Sequence, residues 1–384
     1  MNRVLSHRAA TWFALGVVAV SAAGIFPPTI RWDWLNIIPV VAVIYLGWRV
    51  LGSSARVWVR TIAVFVLMVC LAEFSLRVVS YQRALVYARY GDLLFGPIPN
   101  QTYIEKISLS ESRADAFGLR APSTLVPGRT TVLCLGDSVT YGYGMADGNT
   151  WPAQLEQALM KTQPDRFNVL NGGVNAYPMS FIHQKFLHHW NQGLRPNVVI
   201  IGYSMNEGWL GHLVDADEEV KRAFEKRVML KNLLRSSALY NTIVENWARH
   251  AYEAMRYKLI PGTNSTTVSA SDVTHSYDQY LERFVADVRA RGVTPVFLLF
   301  AALNGETMRY DTLGPFQRRF AAFATARGIP LLRTDVVFRE ELGGNPDLSP
   351  FYFDPGHMTE RGNRALARKL STWLPEVTGP GIVD

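Results

Sequence analysis

Cysteine is nearly missing: the 384 residues hold two, Cys70 and Cys134. That pair excludes a disulfide framework and a cysteine-based metal centre, and both thiols lie in apolar runs where they read as small hydrophobes. Charged residues are also scarce, 18% against 48% hydrophobic, which leaves room for a sizeable core and for membrane segments. Lysine is absent from the first 90 residues, where nine arginines face two acids. The formal charge of +7 therefore belongs to the N-terminal end. Beyond it acids and bases balance, so the basicity describes no nucleic-acid surface. The chain shows no Walker loop, dinucleotide fingerprint, internal repeat or low-complexity tract.

What the N-terminal end does have is apolar length. Residues 9–26 are uncharged and stop at Pro27-Pro28, and residues 34–48 run uncharged between Asp33 and Arg49. Val57 to Val79 is apolar except for Arg60, Glu73 and Arg77. The first two predict membrane spans, and the third predicts a span or a buried core helix, with Glu73 and Arg77 paired at i,i+4. Apolar segments in series fit retained helices better than a cleaved signal peptide. Arg3 and Arg8, then Arg49, Arg56 and Arg60, mark two basic connections separated by a neutral one. With three spans in the inner (cytoplasmic) membrane, everything after residue 80 is extracytoplasmic, in the periplasm; with two it is cytoplasmic, and the charge alternation favours three. The expected organisation is a membrane anchor of two to three transmembrane helices over 1–80, a connecting region over 81–130 and a folded domain over 131–376.

Within that domain apolar strand-like runs alternate with amphipathic stretches. Strands are expected at 131–136, 167–171, 197–203, 293–301 and 329–335, with helices near 150–161, 179–191, 276–292, 316–328 and 359–374. A βαβ rhythm of buried strands implies a flavodoxin-like three-layer α/β/α sandwich on a five-stranded parallel sheet. A helical insertion at about 208–274 breaks the rhythm after the third strand. It reads either as a cap over the carboxyl-end crevice or as helices packing on the domain or membrane.

The chemistry gathers at the expected strand ends. Gly136-Asp137-Ser138 follows the first strand, where open α/β sheets keep their sites, although a strand followed by Gly-Asp is also ordinary turn chemistry. A serine nucleophile needs a neutral imidazole, for which His357 is the candidate. Asp354, across Pro355-Gly356, can fix its tautomer; the same four residues also read as a surface turn with Thr359 capping the next helix. An oxyanion would need donors, available from the Ser138 backbone N–H, from a backbone N–H in the turn after the second strand, and from the Asn206 side chain, unless the asparagines cap local turns. Thr140 stands where a nucleophile elbow needs its second glycine, which argues against an α/β-hydrolase. His183, His188 and His189 lack the i,i+4 ligand spacing, and no metal or cofactor is assigned.

Four blocks occur in order: Gly136-Asp137-Ser138, Asn171-Gly-Gly-Val-Asn-Ala176, Gly202-Tyr-Ser-Met-Asn206-Glu207 and Asp354-Pro-Gly-His357. As a set, over roughly 115–375, they make the chain resemble the SGNH hydrolase superfamily of GDSL-type esterases and lipases, as a membrane-anchored member. The resemblance implies Ser138, His357 and Asp354 as catalytic residues, and Ser138, Ala176 and Asn206 as the oxyanion hole. Ala176 stands where the family has glycine, with Gly173 the alternative in a shifted register, and Glu207 replaces a common Asp. It also implies that an element such as Gly118-Leu-Arg120 precedes the catalytic strand. The expected activity is hydrolysis of an ester, O-acetyl or another acyl, on a glycan or lipid through an acyl-serine. The alternatives are O-acyl transfer to envelope polysaccharide by the same residues and, third, a non-catalytic scaffold. The expected partners are the acylated substrate and, through the N-terminal helices, membrane lipid.

Overall fold

The computed structural model describes residues 57–79, 85–90, 93–105, 107–120, 125–204, 213–235, 237–240 and 270–378. The chain divides into two compact units, Met1–Gln82 with Leu233–Pro261, and Arg83–Asn232 with Gly262–Asp384.

In the first unit, α1 spans Val57–Val79 as one helix. Its Glu73 pairs with Arg77 at 2.6 Å, the expected i,i+4 contact. The same carboxylate accepts from Ser237 Oγ at 2.7 Å and from the backbone N–H groups of Ala238 and Leu239, both at 2.8 Å. It thereby caps the helical turn Ala238–Tyr240, whose first N–H groups have no partner within their own turn. Among the described residues no helix is long and apolar enough to cross a membrane. The expected third span is thus a helix whose last turns carry an ion pair and hold another segment; the expected spans 9–26 and 34–48 lie outside the described residues.

The second unit opens with two antiparallel hairpins, β1 (Tyr87–Tyr90) with β2 (Leu93–Pro97) and β3 (Thr102–Ile104) with β4 (Glu111–Arg113). Where a connecting region was expected, the chain contributes Tyr87, Leu94 and Leu119 to the core. There follow β5 (Thr130–Gly136), α2 (Ser138–Tyr141), α3 (Trp151–Thr162), β6 (Phe167–Gly173), α4 (Met179–Asn191), β7 (Val198–Tyr203) and α5 (Glu218–Arg235). The fold closes with α6 (Ala270–Ala290), β8 (Thr294–Leu299), α7 (Pro315–Ala326), β9 (Leu331–Arg333), α8 (Thr334–Glu341) and α9 (Glu360–Thr378).

Strands β6-β5-β7-β8-β9, in that order, form one parallel sheet. Alternate side chains leave opposite faces of a strand, and here both faces are covered, so the strands read as unbroken apolar runs. Leu133, Leu135, Val199, Ile201, Phe297 and Leu299 pack on one side with α4, α6 and α7 residues such as Phe186, Phe284 and Phe320. Val132, Cys134, Val198, Ile200, Val296 and Leu298 pack on the other with α3 and α9 residues such as Leu155 and Leu370. Phe297 stacks on Phe320 at 4.3 Å, and burying each such ring contributes about 2 kcal/mol. The expected three-layer sandwich is therefore present.

Two features differ from the sequence reading. The last strand ends at Arg333, and α8 starts at once, because Asp335 turns back to pair with Arg333 at 2.8 Å and sits in the helix's first turn. The insertion is divided, since the chain through Asn232 clusters with the sheet and Leu233–Pro261 with the first unit. Helix α5 lies against the first hairpin through Arg89–Glu225 at 2.7 Å and the Phe95–Phe224 rings at 5.7 Å.

Candidate active site

The site begins with three glycines in one row. Gly136 at the end of β5 is in register with Gly173 of β6 on one side and Gly202 of β7 on the other. A Cβ on Gly173 would stand 2.6 Å from Tyr141 Cα, and one on Gly202 or Gly136 would collide with Thr140 Oγ1. The row is bare because α2 crosses directly over it. That close approach brings Ser138, the first residue of α2, to the carboxyl edge of the three central strands.

Asp137 is the N-cap of this helix, extended at φ −92° and ψ −151°, and accepts the Val139 N–H at 2.9 Å. Its other carboxylate oxygen accepts the Ser204 hydroxyl from just beyond β7. Burial pushes the Asp137 carboxyl above its ordinary range, and the hydrogen bonds from Ser204 and Val139 only partly offset it. Asp137 therefore fixes the start of the helix on which Ser138 sits.

From the far end of the chain comes the loop between α8 and α9. It is fastened to the end of β8 by the Leu303 N–H on the Pro355 carbonyl at 2.7 Å and by the Tyr352 hydroxyl on the Ala301 carbonyl at 2.9 Å. In it, His357 Nε2 lies 2.8 Å from Ser138 Oγ, and its Nδ1 lies 2.7 and 2.9 Å from the two oxygens of Asp354. One of those oxygens also accepts the backbone N–H groups of Gly356 and His357, at 2.8 and 2.7 Å. The turn and the charge-relay geometry thus coexist, the carboxylate serving both. Desolvation would raise the Asp354 carboxyl, but the His357 ring and the two backbone donors outweigh it and hold it below the ordinary carboxylate range. An ionised Asp354 accepting from Nδ1–H leaves Nε2 as the acceptor for the Ser138 hydroxyl, a tautomer assigned from the network. The Tyr143 ring is 4.7 Å from the imidazole, and Phe353 lies nearly parallel to it at 5.9 Å.

The two candidate donors of the second block differ in their hydrogen bonding. Gly173 is inside β6, and its N–H donates to Asn171 Oδ1 at 3.0 Å. Ala176 lies beyond the strand in the left-handed region at φ 64°, uncommon for a residue with a Cβ, and its N–H has no acceptor among the described residues. Asn206 lies outside the described residues, as does Glu207. Of the other histidines, His183 faces Asp287 at 2.8 Å and His188 and His189 are buried. Among the described residues no group of three or more His, Cys, Asp or Glu could hold a metal ion.

The GDSL-like lipase/acylhydrolase family matches residues 134–365, which is more than half of the chain and includes Ser138, Asp354 and His357. The protein belongs to that family. It is a GDSL-type serine esterase. A search of curated proteins finds no match. Solved structures with a similar fold include a putative lipolytic protein of the G-D-S-L family from Desulfitobacterium hafniense DCB-2, with 15% identity over 64% of this chain and 99% of that one, TM-score 0.37. Another is the α/β hydrolase enzyme LAE5 from the metagenome of Lake Arreo, Spain, with 16% identity over 66% and 96%, TM-score 0.40. A third is the acetyl xylan esterase AlAXEase, with 13% identity over 64% and 98%, TM-score 0.38. Similarities this low say nothing of the esterase's own substrate.

Three contributors to the GDSL site were not foreseen from sequence: Ser204, Tyr143 and the side-chain contacts of Arg120. Ser204 stood inside the third block, two residues before Asn206, and that position was the available signal. Tyr143 offers no comparable signal, and Arg120 stood in the Gly118-Leu-Arg120 element with no sign of its contacts, because most of its partners are backbone carbonyls remote in sequence.

Proposed function

We propose that this esterase removes a small acyl group, O-acetyl or similar, from a glycan or lipid by way of an acyl-Ser138 intermediate. The observation that carries the reading is the unbroken chain Ser138 Oγ to His357 Nε2 and His357 Nδ1 to Asp354 at the carboxyl edge of the sheet. Ser138 Oγ attacks the ester carbonyl carbon while its proton passes to His357 Nε2, and the imidazolium so formed faces the Asp354 carboxylate. The developing oxyanion is assigned to the N–H groups of Ser138 and Ala176 and to the Asn206 amide; each such donor is worth about a hundred- to a thousandfold in rate. The ester C–O bond then breaks, and the departing alkoxide takes the proton from His357. Water repeats the sequence on the acyl-serine, passing its proton to His357, and releases the carboxylic acid as Ser138 recovers its hydrogen.

Two observations support this reading. The Ala176 N–H is unengaged among the described residues whereas the Gly173 N–H is taken by Asn171. With alanine rather than the family's glycine at 176, a methyl sits on the residue that supplies the unengaged N–H, which would favour a short acyl chain. Separately, the uncharged segments 9–26 and 34–48 and the arginines around them favour anchoring in the cytoplasmic membrane.

The test is to expose the full-length protein to acetylated envelope glycan, quench, and map any acyl adduct by mass spectrometry. An acetyl group on the Ser138 peptide that water discharges supports hydrolysis; an adduct stable to water and discharged only by glycan hydroxyls would replace hydrolysis by transfer. Turnover without any Ser138 adduct, undiminished in Ser138→Ala, would remove the reading altogether.

A further inference from the structure

Arg120 is a buried cation bonded to the C-terminal end of the helix that starts at Ser138, and none of the acid–base steps uses it. Its side chain is 2% exposed. A buried guanidinium is costly unless its five N–H donors are matched, and here they are. Nε donates to Asp147 Oδ1 at 2.9 Å; Nη1 donates to the carbonyls of Tyr141 and Gly142, both at 2.8 Å. Nη2 donates to the Met145 carbonyl at 2.5 Å and, more weakly, to Ser112 Oγ at 3.4 Å. The guanidinium also lies over the Tyr141 ring, 4.3 Å from its centroid.

Four of those five acceptors belong to one segment, Tyr141–Asp147, which leaves the C-terminal end of α2. In that segment the N–H groups of Gly142 and Tyr143 both close on the Ser138 carbonyl, at 3.0 and 2.9 Å. Tyr143 in turn places its ring 4.7 Å from His357. The Arg120 backbone is itself fixed, its N–H donating to the Asn171 carbonyl at 2.9 Å on β6. A single residue therefore joins the sheet, through its backbone, to the end of the nucleophile helix and the loop that touches the base, through its side chain.

Resting on the acyl-Ser138 reading, we propose that Arg120 is a positioning residue of the esterase: it clamps Tyr141–Asp147 so that Ser138 and Tyr143 are held in register with His357. Lysine cannot replace it, since a point charge with three donors cannot span carbonyls on both sides of a planar fork.

The experiment uses the full-length protein, with Ser138 titrated by a fluorophosphonate so that turnover is expressed per reactive serine, and with thermal unfolding followed in parallel. Arg120→Lys is expected to lower kcat about tenfold and Arg120→Ala about a hundredfold, with KM within about threefold, as loss of alignment by a fraction of an ångström to an ångström would give. Guanidinium ion added to folded Arg120→Ala is expected to restore part of kcat and to leave Arg120→Lys unchanged. A role confined to stability would lower the melting temperature and leave turnover per titrated serine at the wild-type value. That result in either variant, or equal effects of guanidinium on both, overturns the proposal. If Arg120→Ala does not fold, Arg120→Lys and Asp147→Asn decide it, the latter expected to lower kcat about threefold by loosening one arm of the clamp. Failure of the underlying reading is distinguishable, because then the wild-type protein itself would carry no label on Ser138.

Discussion

Two buried cations of the esterase domain sit in opposite circumstances. Arg120, beside the nucleophile helix, has an acceptor for each of its five donors. Lys185, on α4, is 1% exposed, and its Nζ has no hydrogen-bond partner among the described residues. Its neighbours are the Tyr177 ring, with the nitrogen 5.9 Å from the centroid, and Asp115, which acts through space. Desolvation brings the Lys185 amine down to about 7, with Asp115 pulling the other way. Both ring nitrogens of His189 are likewise unpartnered, and burial, with Lys185 nearby, holds that imidazole well below its ordinary range. The contrast teaches how this fold handles buried polarity. At Arg120 the charge is kept and each of its donors is matched, which fixes geometry; at Lys185 and His189 the groups are left unmatched, and burial pushes each toward its neutral form.

The comparison is sharpened most by breaking a matched group at the site. Asp354→Asn keeps the size of the side chain and removes the carboxylate that selects the His357 tautomer. It is expected to lower kcat about 10⁴-fold with the fold intact, measured as ester hydrolysis beside circular dichroism. The same residue carries an acid-stability signature. Its folded-state carboxyl titrates below the unfolded value, so its contribution is complete above the ordinary aspartate range and is lost as pH falls through the lowered value. Asp354→Asn should therefore flatten the acid limb of a stability-against-pH curve.

Next in size is Gly173→Ala, which tests whether the bare glycine row positions α2. The added Cβ meets Tyr141 Cα at 2.6 Å, so backbone rather than a flexible side chain must move. Loss of about 3 kcal/mol by denaturant unfolding is expected, with kcat down about a hundredfold. Gly128→Ala, with nothing near its Cβ position but a φ of 82°, separates backbone strain from collision, since it should cost stability and leave kcat unchanged.

The smallest effect tests the unmatched side. Between pH 7 and the ordinary lysine value the unfolded chain binds a proton at Lys185 that the folded chain does not, so wild-type stability rises with pH across that window. Lys185→Met should remove the slope and add about 1–2 kcal/mol at neutral pH, with esterase activity unchanged. A variant less stable than wild type at neutral pH would mean that Lys185 is matched after all.

The sequence made the sheet readable because its strands are buried on both faces, leaving short apolar runs such as Val132–Leu135 bounded by turn residues and alternating with amphipathic stretches. The hairpins over 87–113 were not readable, since strands of three to five residues such as Thr102–Ile104 and Leu93–Pro97 give no periodicity to detect. The start of α8 was hidden because 329–335 opens on the apolar Ile329-Pro-Leu-Leu332 and reads as one strand until Asp335 is seen to fold back on Arg333. At the site, Ser138, Asp354 and His357 were legible as side-chain chemistry, and the structure brings them together. The choice between Gly173 and Ala176 was not, because it turns on where one backbone N–H points, and Arg120 was visible only as part of a motif because its partners are mostly carbonyls, which every residue has.

The proposed nucleophile of the ester hydrolysis is Ser138 Oγ. The direct measurement is rapid-quench mass spectrometry of the full-length protein mixed with a chromogenic acetyl ester. One acetyl group per chain on the Ser138 peptide, appearing with the first turnover and absent from Ser138→Ala, is the expected result. An acetyl group on another residue, or hydrolysis by Ser138→Ala at the wild-type rate, would contradict it.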